Sequence, residues 1–198
     1  ELKIDDNLLF SGGFLGVDVF FVISGYLITS IILKERVIKD HFSFLDFYKR
    51  RIRRLVPALL VVLMASLVFA YMILLPIQFK SYINSVLSSI FFYSNLYFHY
   101  SGESYGQTIL SNQPLLHTWS LSVEEQYYII FPVFFVLIFK YFKKYIIHFL
   151  IISLIISLSI ADWGSKNYPS FNFYILPTRG WELLAGSILS YYEIKNGH

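Results

Sequence analysis

The chain has 198 residues, 56% of them hydrophobic, 20% aromatic and only 15% charged, with a formal net charge of +3. Its apolar residues fall in long runs rather than at the periodic spacing of a soluble amphipathic helix, which excludes an ordinary soluble domain and predicts an all-α, polytopic transmembrane helical bundle. At roughly 20 residues per span, about five or six spans exhaust the length, and the absence of cysteine excludes a disulfide framework, a thiol nucleophile and a thiolate metal site.

The start, ELKIDDNLLFSGG, has neither an initiator Met nor a basic region ahead of an apolar run, and reads as the edge of a fragment. The first apolar run covers residues 17 to 33. Residues 34 to 57 follow with eight Lys and Arg against three acids, and by the positive-inside rule they form a cytoplasmic loop. A second span, residues 57 to 76, leaves that side again. In residues 79 to 116 the most apolar core, Val86 to Phe98, is only 13 residues long, which suits a re-entrant or partial segment. Charge supports the same choice: a full crossing there would make the helix that begins near His117 deliver Lys140, Lys143 and Lys144 to the outside. Residues 145 to 161 then go out and residues 173 to 192 return. The expectation is about five full spans plus one partial segment in one bundle, with no internal repeat or flexible linker.

Several charged residues lie inside apolar runs, where each is a site hypothesis by default. Asp18 stands at the outer end of the first span, His117, Glu124 and Glu125 open the helix after the partial segment, and Arg179 and Glu182 lie in the first half of the last one. All six are expected near the outer leaflet. His117, Leu121, Glu124 and Tyr128 follow i, i+4, i+7, i+11 spacing and share a helix face, while Glu125 points about 100° away toward a helix flank or the headgroups. Arg179 can pair with Glu182 locally, or with Glu124 or Asp18 across the bundle. The bland alternative is a set of interfacial caps and structural ion pairs; Tyr127 and Tyr128 read as belt or packing aromatics. His41, His99, His148 and His198 have no ligand-like neighbours, so no metal site is expected.

The basic run YKRRIRRLVP is a second candidate. As a helix it puts Arg50, Arg53 and Arg54 on one face, where guanidinium groups can hold phosphates; the alternative is a topology anchor for anionic lipid headgroups. No glycine-rich phosphate loop, nucleophile elbow or HExxH pattern occurs.

Four stretches in order, GGFLGVDVFFVISGYLIT, RRIRRLVPALLVV, LLHTWSLSVEEQYY and FYILPTRGWELLAG, resemble the membrane acyltransferase family 3, the integral-membrane O-acetyltransferases of bacterial surface polysaccharides. The wording of the last two is similar to the branch that modifies lipopolysaccharide O-antigen, whose members often carry an SGNH-hydrolase-like domain after the membrane part. The resemblance implies a multi-pass protein of the bacterial inner membrane, acetyl-coenzyme A as the cytoplasmic acyl donor, and a glycan hydroxyl as acceptor. It implies that Arg50, Arg51, Arg53 and Arg54 grip the coenzyme A phosphates and that Glu124 and Arg179, with His117, Glu182 and Asp18, make up the catalytic set. The family's first helix also carries an Arg and, about three turns on, a His thought to be the base. No Arg precedes Arg36 here and His41 lies in the basic stretch, so neither is carried over; that helix is expected upstream of Glu1, and further spans beyond residue 198. Residues 1–198 are thus read as part of an acyltransferase domain, inactive alone.

A sugar hydroxyl attacks a thioester only if a base takes its proton and the oxyanion is stabilised. In this reading Glu124 orients or charge-balances the base, and Arg179 holds the oxyanion or that carboxylate. The expected partners are a glycan, acetyl-coenzyme A and the lipid bilayer, with no nucleic acid. The rival from another class is a transporter or flippase that moves an acyl or glycan substrate without covalent change.

Overall fold

The computed structural model describes residues 3–4, 7–8, 15–39, 42–101 and 113–196. Two strands of two residues each, Lys3–Ile4 and Asn7–Leu8, pair antiparallel. All other regular structure described is helical. The helices are α1 (Leu15–Lys39), α2 (Phe44–Ile73), α3 (Pro76–Ile90), α4 (Ser94–Tyr100), α5 (Thr118–Tyr141), α6 (Ile146–Asn167), α7 (Pro169–Tyr174) and α8 (Leu176–Lys195), with a 3-10 turn at Lys143–Tyr145.

The basic stretch differs from the loop that charge alone suggests. The Ser43 hydroxyl caps α2 by accepting from the Asp46 amide at 3.3 Å, so Lys49 to Arg54 form the first turns of a 30-residue helix rather than a connector. Pro57 follows inside the same helix and cannot donate to the Arg53 carbonyl, which leaves a soft point between the basic turns and the apolar ones.

Among the described residues, four segments are long and apolar enough to cross a membrane: Leu15–Arg36, Phe44–Ile73, Thr118–Tyr141 and Lys143–Asn167. The fifth expected span coincides with α8, whose 20 residues pack against α1 and α6 but include Arg179, Glu182, Glu193 and Lys195. By composition α8 stands outside the four. The short segment after α2 breaks into α3 and α4 at Phe92, which adopts φ 54°, an uncommon backbone state for a bulky residue. Gln126 of α5 holds that joint: its Nε2 donates to the Phe92 carbonyl at 3.0 Å and to Asn95 Oδ1 at 2.8 Å. Residues 102 to 112 of the predicted partial segment lie outside the described residues, as do His41 and His198.

The backbones of α1 and α8 meet closely, and two glycines permit it. A Cβ on Gly25 would overlap the Leu183 carbonyl, and one on Gly186 would overlap the Val22 carbonyl. The Ser187 hydroxyl donates to the Gly25 carbonyl at 3.1 Å across the same contact. Contacts ascend together along the helices, Asp18 with Arg179, Gly25 with Ser187 and Tyr26 with Glu193, so α1 and α8 run parallel. Phe21, Trp119, Phe135, Tyr174 and Leu183 form the buried centre between α1, α5, α7 and α8.

Candidate functional site

Charged side chains gather in two places about 9 Å apart along α1, at Asp18 and at Ser24, given a rise of about 1.5 Å per residue. At the first, Arg179 Nη1 lies 2.9 Å from Asp18 Oδ1 and 2.8 Å from Glu182 Oε1, and its Nε donates to the Phe173 carbonyl at 3.3 Å. The guanidinium also sits 5.1 Å from the Phe173 ring and 5.7 Å from the Trp119 ring. Arg179 therefore takes two of the partners that spacing allows, and Glu124 pairs elsewhere.

Glu124 and Glu125 pair instead with Arg51. Arg51 Nε and Nη2 donate to Glu125 Oε1 at 2.6 and 2.5 Å, and Nη2 lies 3.4 Å from Glu124 Oε1. The Ser24 hydroxyl donates to the same Glu124 oxygen at 2.6 Å. Arg51 stacks with its Cζ 3.4 Å from the centre of the Tyr128 ring, and the Tyr128 hydroxyl donates to the Ser24 carbonyl at 3.1 Å. Glu124 and Glu125 are 5% and 9% exposed, so both are buried, and the expectation that Glu125 turns toward the headgroups is corrected. The cause is α2: it crosses α5 antiparallel, with Tyr48 donating to the Tyr128 and Ile129 carbonyls, and so covers the flank on which Glu125 emerges.

The placement of the two charged groups on opposite sides of the membrane is corrected for the same reason. The contacts of α2 and α5 run in opposite directions, Tyr48 against Tyr128 and Ile129 and Arg51 against Glu124 and Glu125, so the first turns of α2 overlap α5 inside the bundle and Arg51 reaches the depth of the two glutamates. The other arginines have different surroundings. Arg50 pairs with Glu35 at 2.5 Å, Arg53 is exposed, and Arg54, three residues after Arg51, lines a cavity with it.

That cavity, of about 650 Å³, lies between α1, α2 and α5. The predicted face of α5 opens onto it: His117, Leu121, Glu124 and Tyr128 all line the wall, with Arg51 and Arg54 opposite and Ile23, Leu27 and Leu59 supplying apolar surface. His117 is exposed, so the cavity spans from an accessible imidazole to a buried carboxylate. Ser24 was not legible as a site residue, because a serine in an apolar run is ordinary; its signal is that it faces a carboxylate one hundred residues away. Tyr127, by contrast, packs: it stacks on Phe131 and bonds Ser187 at 3.0 Å.

An apolar cavity lined by two guanidinium groups, one buried carboxylate and an imidazole can orient a nucleophile, accept its proton and offset a developing negative charge. The family model described as an acyltransferase domain matches residues 3–196. The chain is similar to the O-acetyltransferase OatA of Staphylococcus aureus, 42% identical over 125 residues that cover 62% of this chain and 20% of the relative. It is also similar to the peptidoglycan O-acetyltransferase OatA of Listeria monocytogenes, 34% identical over 185 residues, covering 91% of this chain and 29% of the relative. The chain thus matches less than a third of the length of these relatives. No solved structure matches.

Proposed function

The chain belongs to the acyltransferase-domain family, and from that membership we propose that it forms part of a membrane O-acyltransferase that moves an acetyl group from acetyl-coenzyme A to a hydroxyl of a cell-surface glycan in the bacterial inner membrane. The names of the relatives favour peptidoglycan as the glycan; the wording of the sequence stretches around Glu124 and Arg179 favours lipopolysaccharide O-antigen. The chemistry asked of the protein is the same for both, a sugar hydroxyl attacking a thioester.

The observation that supports this reading best is the unequal pairing of Glu124 and Glu125 at the wall of the cavity. Arg51 gives Glu125 two short bonds and Glu124 one long contact, so one cation faces two carboxylates and Glu124 is the surplus charge. A surplus carboxylate beside a cavity is the group that takes up a proton or balances an imidazolium. His117 is the imidazole on the same wall. Arg51, held by Glu125 and stacked on Tyr128, is a fixed positive charge for the oxyanion rather than a free phosphate grip. Phosphate contact then falls to Arg54 at the cavity, with Arg53 and Arg50 on the exposed side of α2.

Vesicles containing the full-length protein, supplied with radiolabelled acetyl-coenzyme A on the basic side, test the reading. Label on polysaccharide outside is expected. Tight coenzyme A binding with no covalent transfer would overturn it in favour of a transporter.

A further inference from the structure

The cavity between α6, α7 and α8 plays no part in the reading above. It measures about 370 Å³, within the range of small-molecule sites, and Asn172, Phe173, Arg179, Trp181 and Glu182 are among its walls. Glu182 is wholly buried; its Oε1 receives Arg179, whereas its Oε2 has no hydrogen-bond partner. The buried Asn172 Oδ1 is unpartnered as well. Two unpaired buried acceptors on one cavity call for a ligand that donates, because a carboxylate oxygen left without a partner bears its full desolvation cost. Gly164 keeps the space beside one of them open: a Cβ there would come within 3.1 Å of Asn172 Oδ1.

Charge narrows the ligand. Asp18 and Glu182 against Arg179 leave one negative charge in excess, which disfavours a phosphate or carboxylate ligand, while the guanidinium on the same wall disfavours an ammonium. Neutral hydroxyl groups fit both conditions. The rings of Trp181 and Phe173 add apolar faces for C–H groups, and hydroxyl donors on an apolar-faced ring describe a sugar. Its α6 wall comes from the C-terminal half of that helix, away from Lys143 and Lys144 at the helix start.

We propose that this cavity is a subsite for a neutral sugar ring of the acyl acceptor, with ring hydroxyls donating to Glu182 Oε2 and Asn172 Oδ1. The inference rests on the acyl-transfer reading for the presence of a glycan acceptor. Its test is saturation-transfer NMR on the full chain in nanodiscs with N,N′-diacetylchitobiose as probe, beside a separate measurement of acetyl-coenzyme A binding. The wild type is expected to bind the sugar, and Glu182→Gln and Asn172→Leu to weaken it about tenfold each, the value of one charge-assisted or well-placed hydrogen bond. Trp181→Ala, at a partly exposed position, is expected to weaken it too and covers the case in which a buried variant fails to fold. Unchanged sugar affinity in the folded variants would overturn the inference, as would a wild type that binds acetyl-coenzyme A and no sugar. A wild type that binds the sugar through these residues and no acetyl-coenzyme A would uphold the subsite and remove the acyl-donor reading instead.

Discussion

Arg51 sits between Glu124 and Glu125 in the bundle interior, and the three charges are tolerable there only as a set. Removing the cation leaves two buried carboxylates facing each other, so Arg51→Ala should destabilise the protein by about 3 to 5 kcal/mol, read as a lower melting temperature in detergent. Arg51→Lys keeps the charge but loses both the Nε–Nη2 fork on Glu125 and the stacking on Tyr128, and should recover only part of that loss. The two glutamates separate by readout. Glu125→Gln removes Arg51's main partner and should lower the melting temperature more than Glu124→Gln does. Equal shifts in the two variants would mean that Arg51 does not discriminate between them.

Helix crossings decide which of the charges meet, and glycines set the crossings. Gly25→Ala and Gly186→Ala each drive a methyl group into the backbone of the facing helix, where neither α1 nor α8 can yield without moving as a whole. Each should cost about 1 to 3 kcal/mol or more, and the double variant should cost less than the sum, because one separation relieves both overlaps. Gly16→Ala is the control, since a Cβ there meets nothing within 4 Å. Additive losses from the first two would contradict a shared contact. The crossings also explain what the sequence disclosed and what it hid. Periodicity along one helix is local, so the face carrying His117, Leu121, Glu124 and Tyr128 was legible, and all four line one cavity. The partners of that face depend on how far α2 is drawn over α5. No spacing within one helix records that, so Arg51 read as one of a basic cluster that grips phosphates or anchors to headgroups, and Glu125 as a flank residue. The break after α3 was legible as a short apolar core, whereas its brace by Gln126 and Asn95 depends on two helices meeting and was not.

Across the whole molecule, positive charge collects at one end of the bundle. Arg36 and Lys143 both approach Phe139, at the end where α1 and α5 finish and α2 begins, and Lys195 closes α8, which runs parallel to α1. These 198 residues contain no cysteine, so single cysteines placed among them report the orientation directly. Lys144→Cys should react with an impermeant reagent only from the cytoplasmic side and Asn167→Cys only from outside; the reverse pattern would invert the bundle. In that orientation the larger cavity reaches from Ile31 and Phe47, on the basic side of the buried Arg51–Glu124 contact, to Arg54 and His117 on its outer side, and the smaller one is walled by the C-terminal half of α6. The central claim is that Glu124 is the surplus charge on which acyl transfer depends. It is tested most directly by steady-state transfer from acetyl-coenzyme A by full-length Glu124→Gln, at folded-protein levels matched to the wild type. A fall in kcat of about a hundredfold or more, with KM for acetyl-coenzyme A nearly unchanged, is the predicted result. Wild-type turnover by that variant would contradict it.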